Sequence, residues 1–322
     1  MEPLNEPVIT EHLINVEAVI ASKNPRLLKI IPGFILSWLK RIVHQDEVNG
    51  YIWRNRDKSG LPFVNAILKE FGVKVEAFDA RKVASSPGPA CTSFPDPSPI
   101  THLPSLIPAT GRYIVASNHP LGGLDGMALM QELGKFRTDI VFPVNDLLMF
   151  VPGLRPLFIP INKHGRNTEN ARLIDETFAS DKMILYFPAG LVSRKQRVSR
   201  LAKSDPSVLQ TNPGSRYIIR DLEWKTTFIK KAKKYQRDII PVYVAGRNSD
   251  WFYNLSNWRK RLGIKTNIEM LYLVDEMALQ LGKTITLKIG DIIPYTTFDK
   301  SKTEAQWAEW VKAKVYEMTR YQ

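Results

Sequence analysis

The sequence predicts an α/β fold: a central, mostly parallel sheet flanked by helices, with an N-terminal helical segment. Short apolar runs alternate along the chain with stretches of helical periodicity, which is the pattern of strands and crossover helices in a layered sheet. A length of 322 residues and a hydrophobic content of 44% suffice for a sizeable core. A segment rich in proline and serine separates the alternating part from a helical beginning.

The elements follow from periodicity and turn residues. Before residue 80 the pattern predicts helices, with residues 11–22, 27–44 and 63–71 as the candidates. Predicted strands are 112–117, 139–144, 156–161, 182–187, 238–245 and 284–290, and predicted helices are 126–136, 167–179, 221–235 and 303–319. Loops are predicted at 84–110 and 203–215, where proline is frequent. The chain thus divides into an N-terminal helical, membrane-associating region (1–83), a Pro/Ser-rich loop (84–110) and an α/β domain (111–322).

The segment from Leu27 to Arg41 is apolar and aromatic with flanking cations, as in helices that lie in a bilayer interface. A pair of core helices kinked at Pro32 is an equal alternative. No uninterrupted apolar run reaches the roughly 18 residues that a spanning helix needs, and Met1 to Asn5 do not resemble a signal peptide. We therefore expect a cytoplasmic protein, peripheral on the inner face of the membrane.

A histidine and an aspartate flank a two-glycine turn in the stretch from Asn118 to Gly126. His119 follows the apolar run of the strand predicted at 112–117, and helical periodicity resumes after Asp125. A carboxylate bonded to one imidazole nitrogen fixes the tautomer and lets the other nitrogen accept a proton. The alternative is that Asp125 caps the helix and His119 is an ordinary loop histidine.

A second motif, Tyr186-Phe187-Pro188-Ala189-Gly190-Leu191-Val192-Ser193-Arg194, follows another predicted strand. Together the two motifs resemble the glycerolipid acyltransferase superfamily, which includes the lysophosphatidate acyltransferases. Weaker matches to two further family motifs are 156–160 and 240–246, in the same order. The resemblance covers about residues 111 to 250. It implies that His119 and Asp125 form a catalytic dyad for acyl transfer.

The chain departs from the family pattern in its turn and in its acceptor-binding positions. Five residues, Pro120 to Leu124, separate the dyad where the family has four. Ala189 replaces the common glutamate, Leu191-Val192 replace Thr-Arg, and no arginine follows Pro160. Those family positions help to hold the acceptor's phosphate, so the resemblance implies a different acceptor. The chain is most similar to the hemolysin-like subgroup, which includes enzymes that esterify the hydroxyl of an N-acylated amino acid to make ornithine or glycine lipids.

The resulting hypothesis is transfer of a fatty acyl group from an acyl thioester to a lipid hydroxyl. His119, oriented by Asp125, removes the hydroxyl proton, and backbone N–H groups at Gly122, Gly123 or Gly190 stabilise the oxyanion. For acceptor recognition we expect a set of amides, cations and motif residues: Asn118, Asn162, Lys163, Arg166, Phe187, Pro188, Ser193 and Arg194. The alternatives are synthesis of phosphatidic acid from lysophosphatidate and a peripheral lipid-binding protein without catalysis.

The chain has 45 Lys and Arg against 32 Asp and Glu, a net charge of +13. Such a surplus attracts anionic partners, and we expect an anionic membrane surface, the lipid acceptor, and acyl carrier protein or coenzyme A as donor. The densest cationic run, residues 225–237, has a solvated helix face as its simpler explanation. No nucleic-acid-binding module is recognisable. The single cysteine and five scattered histidines give no metal-ligand spacing, so neither a metal nor a cofactor is expected.

Overall fold

The computed structural model describes residues 14–23, 25–80, 107–161, 168–202, 208–209, 214–264 and 267–320. The helices are α1 (Val16–Lys23), α2 (Pro25–Ile30), α3 (Gly33–Ile42), α4 (Gln45–Arg54), α5 (Leu61–Glu70), α6 (Gly123–Leu133), α7 (Thr168–Ala179), α8 (Val198–Leu201), α9 (Thr227–Tyr235), α10 (Asp250–Arg261), α11 (Leu273–Ala278) and α12 (Glu304–Glu317). The strands are β1 (Lys74–Asp79), β2 (Tyr113–Ser117), β3 (Ile140–Asn145), β4 (Phe158–Ile161), β5 (Met183–Tyr186), β6 (Arg194–Arg197), β7 (Tyr217–Arg220), β8 (Asp238–Val244) and β9 (Thr284–Ile289).

Seven strands form one sheet in the order β1-β9-β8-β2-β5-β3-β4. The five strands from β8 to β4 are parallel to one another. At the other edge, β9 pairs antiparallel with β8, and β1 pairs parallel with β9. The predicted α/β class with a mostly parallel sheet is confirmed.

Alternating side chains of the central strands face two apolar layers, as the two-residue repeat of a strand requires. Val115 packs on one face with residues of α5 and α6. Its neighbours Ile114 and Ala116 pack on the other face with residues of α7, α9 and α12. Because both faces are covered by helices, the strands read as continuous apolar runs in the sequence.

The first strand of the sheet lies before the predicted boundary at residue 83. Residues 74–79 form β1 within the sheet, although the sequence suggested only helices before residue 80. The helix α5 also packs against α6, with Phe63, Val64 and Leu68 in the same apolar layer as the sheet. The strand was missed because it is short and half-buried and contains Lys74 and Glu76. Ile52 of α4 also belongs to this layer, whereas α1 to α3 supply none of its described buried residues.

The helices α2 and α3 are separated at Pro32, as the kink predicts. Of the residues of α3, only Ile42 is buried. Phe34 and Trp38, one helical turn apart, are 75% and 48% exposed, and Ile30 of α2 is 73% exposed. The alternative of a core-packed helix pair is therefore not what the structure shows. Within the described part of the chain, no helix is long and apolar enough to cross a membrane.

His44 joins this helical region to the rest of the molecule. It precedes α4 with a φ of 46°, and its Nε2 lies 2.5 Å from Asp275 Oδ1 of α11. Its Nδ1 lies 2.6 Å from Glu47 Oε2. The two carboxylates raise the pKa of His44, with the Asp275 bond as the largest cause.

A buried arginine lies at the amino end of the parallel strands. Arg237, directly before β8, donates to the carbonyl oxygens of five residues at the end of α7 and the starts of β2 and β5, which are Tyr113, Thr177, Phe178, Ser180 and Lys182. Burial lowers its pKa to about 10. The guanidinium is therefore still charged at neutral pH and satisfies carbonyls that would otherwise be buried without donors.

The sequence did not predict the hairpin β6–β7 or the helices α10 and α11. The hairpin pairs antiparallel, Arg194 opposite Arg220, and its charged residues give no apolar alternation. The helix predicted at 221–235 begins only at Thr227, because Asp221 to Thr226 form an irregular segment. Of the two predicted loops, residues 84–106, 203–207 and 210–213 lie outside the described residues.

Candidate active site

The first motif lies at the carboxyl end of the sheet, where sites in open α/β folds form. His119 comes two residues after β2, and Phe187 directly follows β5, which pairs parallel with β2. The parallel register carries both residues to the same edge. Their rings stack with centroids 4.0 Å apart and an interplanar angle of 18°. Phe187 thus holds the plane of the imidazole.

The side chains of the predicted dyad are hydrogen-bonded to each other. His119 Nδ1 lies 2.9 Å from Asp125 Oδ2, and the Asp125 side chain is fully buried while that of His119 is 17% exposed. Oδ2 also accepts the backbone N–H groups of Leu121 and Gly122, at 2.8 and 3.1 Å. An ionised carboxylate accepts from Nδ1–H, so Nε2 is the nitrogen left to accept a proton.

Burial raises the pKa of Asp125, while the imidazole and the two N–H groups act to lower it. Oδ1 is buried and has no hydrogen-bond partner within the described residues. All the stabilisation of the charge is therefore directed to the oxygen that contacts the histidine. The carboxylate is held in place by the turn and is not a simple helix cap.

Gly122 allows the five-residue connection to close. It has a φ of 83° and a ψ of −129°, a region that only glycine occupies readily. A Cβ there would lie 3.3 Å from Leu273 Cδ2 and 3.6 Å from Val192 Cγ1. The longer spacing between histidine and aspartate is thus accommodated by an unusual backbone conformation at one residue.

Of the three glycines predicted to supply oxyanion donors, two use their N–H groups inside the turns. The Gly122 N–H bonds to Asp125, and the Gly190 N–H donates to Phe187 O at 3.0 Å. Gly123 is the first residue of α6, where N–H groups have no partner within the helix. Its N–H is the candidate that the geometry leaves available.

Asp221 was not predicted as a site residue, yet it bonds to residues of both motifs of this site. It is fully buried, and its Oδ1 accepts the N–H of His119 at 3.2 Å and the hydroxyl of Ser193 at 2.6 Å. Its Oδ2 accepts the indole N–H of Trp224 at 2.9 Å. The Ser193 N–H donates to His119 O at 2.7 Å, so the two motifs are joined directly. In the sequence, the only signal was an Asp-Leu-Glu-Trp segment without helical periodicity.

Several predicted acceptor-binding side chains have partners inside the protein. Asn118 bonds to both backbone groups of Val244, tying the end of β2 to the end of β8. Ser193 bonds to Asp221, and Arg194 is 3% exposed and bonds to Glu269 at 2.9 Å. Pro188 is buried, and its carbonyl accepts the Lys225 N–H. Direct contact of these residues with an acceptor stays a prediction, and Asn162, Lys163 and Arg166 lie outside the described residues.

A cleft of about 1040 Å³ opens beside the second motif. It is bordered by the turn at Ala189 and Gly190, by the hairpin β6–β7 and by α10. Its lining includes seven cationic side chains, Arg194, Lys195, Arg197, Arg200, Lys225, Lys260 and Arg261, against one carboxylate, Glu223. Among the described residues, no cluster of histidine, cysteine and carboxylates suits a metal ion.

Comparison with known proteins agrees with this site. The sequence profile of a family described as acyltransferase matches residues 101–321. The chain belongs to this acyltransferase family, within the glycerolipid and amino-acid-lipid superfamily that its motifs resemble, and it is an enzyme of the O-acyltransferase class.

Two relatives are similar over nearly their whole length. A lyso-glycine lipid O-acyltransferase of Bacteroides thetaiotaomicron is 42% identical over 95% of this chain and 97% of its own. One of the same name from Phocaeicola vulgatus is 43% identical over 95% of both chains. The crystal structure of the 1-acyl-sn-glycerophosphate acyltransferase of Thermotoga maritima covers 89% of this chain and 92% of its own, with 15% identity and a TM-score of 0.37.

Proposed function

We propose that this enzyme transfers a fatty acyl group from an acyl thioester to the hydroxyl of an N-acylated amino-acid lipid, of the lyso-glycine lipid type. The observation that carries the proposal is the His119–Asp125 bond at the carboxyl end of the sheet, in a chain 42% identical to a lyso-glycine lipid O-acyltransferase over 95% of its length. The missing phosphate-binding arginines of the second and third motifs agree with an acceptor that lacks a phosphate.

In this mechanism, Nε2 of His119 takes the proton of the acceptor hydroxyl as its oxygen attacks the thioester carbonyl carbon. Asp125 stabilises the imidazolium that forms. The oxyanion is placed at the start of α6, where the Gly123 N–H and the helix dipole favour negative charge. When the carbon–sulfur bond breaks, the imidazolium returns the proton to the thiolate, and the ester is complete.

The acyl donor in this proposal is the thioester of acyl carrier protein or of coenzyme A. Both are anionic, which suits a chain with a net charge of +13. Beyond this co-substrate, the mechanism uses no cofactor or metal.

The lipid acceptor requires access to a membrane, and we assign this to α2 and α3. Ile30, Phe34 and Trp38 are exposed apolar side chains, and Lys29 and Arg41 are exposed cations beside them. Apolar and cationic side chains together bind anionic bilayer surfaces. The enzyme would thus work as a peripheral protein on an anionic, inner membrane face.

The test is to incubate purified protein with both donor thioesters and a panel of acceptors, and to identify the products by mass spectrometry. The panel contains an N-acyl glycine hydroxy lipid and lysophosphatidate. We expect an acylated glycine lipid with the wild type and a rate about 10²- to 10⁴-fold lower with His119→Ala. Full activity of His119→Ala would overturn the dyad. Acylation of lysophosphatidate alone would show that lysophosphatidate, and not the glycine lipid, is the acceptor.

A further inference from the structure

The cationic cleft has two walls that bring like charges together. Lys195, Arg197 and Arg200 come from β6 and α8, and Lys260 and Arg261 from the end of α10. The pKa of Lys260 is lowered first by burial and then by the charges of Arg194, Arg259 and Arg200, while Glu269 acts to raise it. Positive charges this close together destabilise the protein when the cleft is empty. An anion bound between the walls relieves their repulsion.

Arg194 gives an independent indication of a ligand. Its guanidinium is 3% exposed and lines the cleft. Nη2 bonds to Glu269, whereas Nη1 is buried and has no hydrogen-bond partner in the described part of the chain. A buried N–H of a charged group without a partner is costly. Because Arg194 also borders the cleft, an anion bound there would compensate this buried charge.

The cleft lies next to the dyad along two chain segments. Phe187 stacks on His119, and Ala189, two residues further on, already lines the cleft. Two residues span at most about 7 Å. Ser193 donates to His119 O, and the next residue, Arg194, lines the cleft. A ligand in the cleft therefore has one end close to the reacting atoms.

We propose that this cleft binds the phosphate groups of the acyl donor; the proposal rests on the acyl transfer proposed above. Coenzyme A and acyl carrier protein share one chemistry, an acyl thioester on a pantetheine arm that bears phosphate. Seven cations against one carboxylate match phosphate charges better than the single carboxylate of an N-acylated amino acid. Arginine and lysine are both phosphate binders, and arginine forms paired bonds to phosphate oxygens.

The first measurement is equilibrium binding by calorimetry, without acceptor and without turnover. The probes are free coenzyme A, the carrier protein with its phosphopantetheine arm, and the carrier protein without the arm. The variant is Arg200→Glu/Lys260→Glu, which reverses one exposed charge on each wall. The matched control is Lys230→Glu, an exposed residue of α9 outside the cleft.

We expect at least one phosphate-bearing probe to bind the wild type, and to bind the double variant more than tenfold more weakly. Lys230→Glu and His119→Ala should bind as the wild type does. The probe that binds identifies the source of the phosphate. With acyl donor, the double variant should show a raised KM for that donor with kcat little changed.

Equal binding of the phosphate-bearing probes by the wild type and the double variant would overturn the proposal. So would equal binding of the carrier protein with and without its arm, which would indicate a docking surface for the acidic protein itself. A double variant that loses only its affinity for phosphatidylglycerol vesicles would make the cleft a membrane contact instead. Because His119→Ala tests catalysis and the calorimetry tests binding, the two proposals fail separately.

Discussion

A single carboxylate oxygen links His119 to the turn that carries it. Asp125 Oδ2 accepts from His119 Nδ1 and from the N–H groups of Leu121 and Gly122. The same atom therefore orients the imidazole and fixes the connection between β2 and α6. Since the carboxylate is fully buried, no water competes for these bonds.

Asp125→Asn should lower kcat/KM by about 10²- to 10⁴-fold, because the neutral amide no longer stabilises the imidazolium. Burial raises the pKa of Asp125, so in the wild type the carboxylate becomes protonated at a higher pH than an exposed one and activity falls on the acid side. The variant has no carboxylate to protonate at this position, so the contribution of Asp125 to the acid limb of the pH–rate profile should be lost. Glu132→Gln, which removes a buried carboxylate elsewhere on α6, is the control. An unchanged profile in Asp125→Asn would contradict the role of the dyad.

Gly122→Ala should destabilise the protein by about 1–3 kcal/mol and reduce activity. The added Cβ meets Leu273, and φ of 83° is strained for alanine. Gly123→Ala is the matched stability control, because its Cβ has no atom within 4 Å and its φ is not positive. We expect melting temperatures to fall for the first variant and not for the second. Equal melting temperatures would show that the turn adapts.

At the scale of elements, α3 carries an apolar face that is exposed in the described part of the chain. Its exposed aromatic residues, Phe34 and Trp38, are one turn apart and lie on the same side of the helix. Such a face is costly in water unless a partner covers it. The proposed partner is the surface of an anionic bilayer.

Phe34→Glu/Trp38→Glu should reduce partitioning onto phosphatidylglycerol vesicles by at least tenfold, since burying a large apolar side chain contributes about 1.5–3 kcal/mol. Sedimentation with the vesicles measures this. Leu173→Glu on α7, which is 39% exposed in the wild type, provides the same chemical change outside the α3 face. Identical sedimentation of the α3 variant and the wild type would remove α3 from the membrane-binding surface.

The contact between His44 and Asp275 connects the N-terminal helices to α11 and should depend on pH. The folded-state pKa of His44 is raised above its ordinary value of 6.5. The stabilisation is therefore complete below that value and is lost as pH rises through the folded-state pKa. His44→Gln should lower the melting temperature more at a pH of about 5.5 than at about 8.5. An equal fall in melting temperature at both pH values would mean that the charge of His44 does not hold the contact.

At the scale of the whole molecule, the sequence predicted the elements that have a clear hydrophobic pattern. It missed the elements and sites that depend on residues far apart in the chain. The buried parallel strands follow from apolar runs, and the pairing of His119 with Asp125 was what the family resemblance implied. The edge strand β1 was missed because its charged residues hide its pairing with β9, 210 positions away for the partners Lys74 and Thr284. The cleft was not predictable either, since the cations of β6 and α10 converge only in the folded chain.

Asp221 illustrates the same limit within the site. Its carboxylate joins His119, Ser193 and Trp224, and its N–H donates to the Tyr316 hydroxyl of α12 at 2.8 Å. The partners lie 102 residues before it and 95 residues after it. A lone aspartate in the sequence carries no sign of such a junction.

The two ends of the sheet differ in their response to acid. Arg237 keeps its proton far above neutrality, with a pKa of about 10, and carbonyl oxygens do not titrate, so the amino end is unaffected as the pH falls. At the carboxyl end, burial raises the pKa of Asp125, so this carboxylate becomes protonated at a higher pH than an exposed one. Mild acid should therefore stop the chemistry before it loosens the fold. The enzyme would then regain its activity on neutralisation without having to refold.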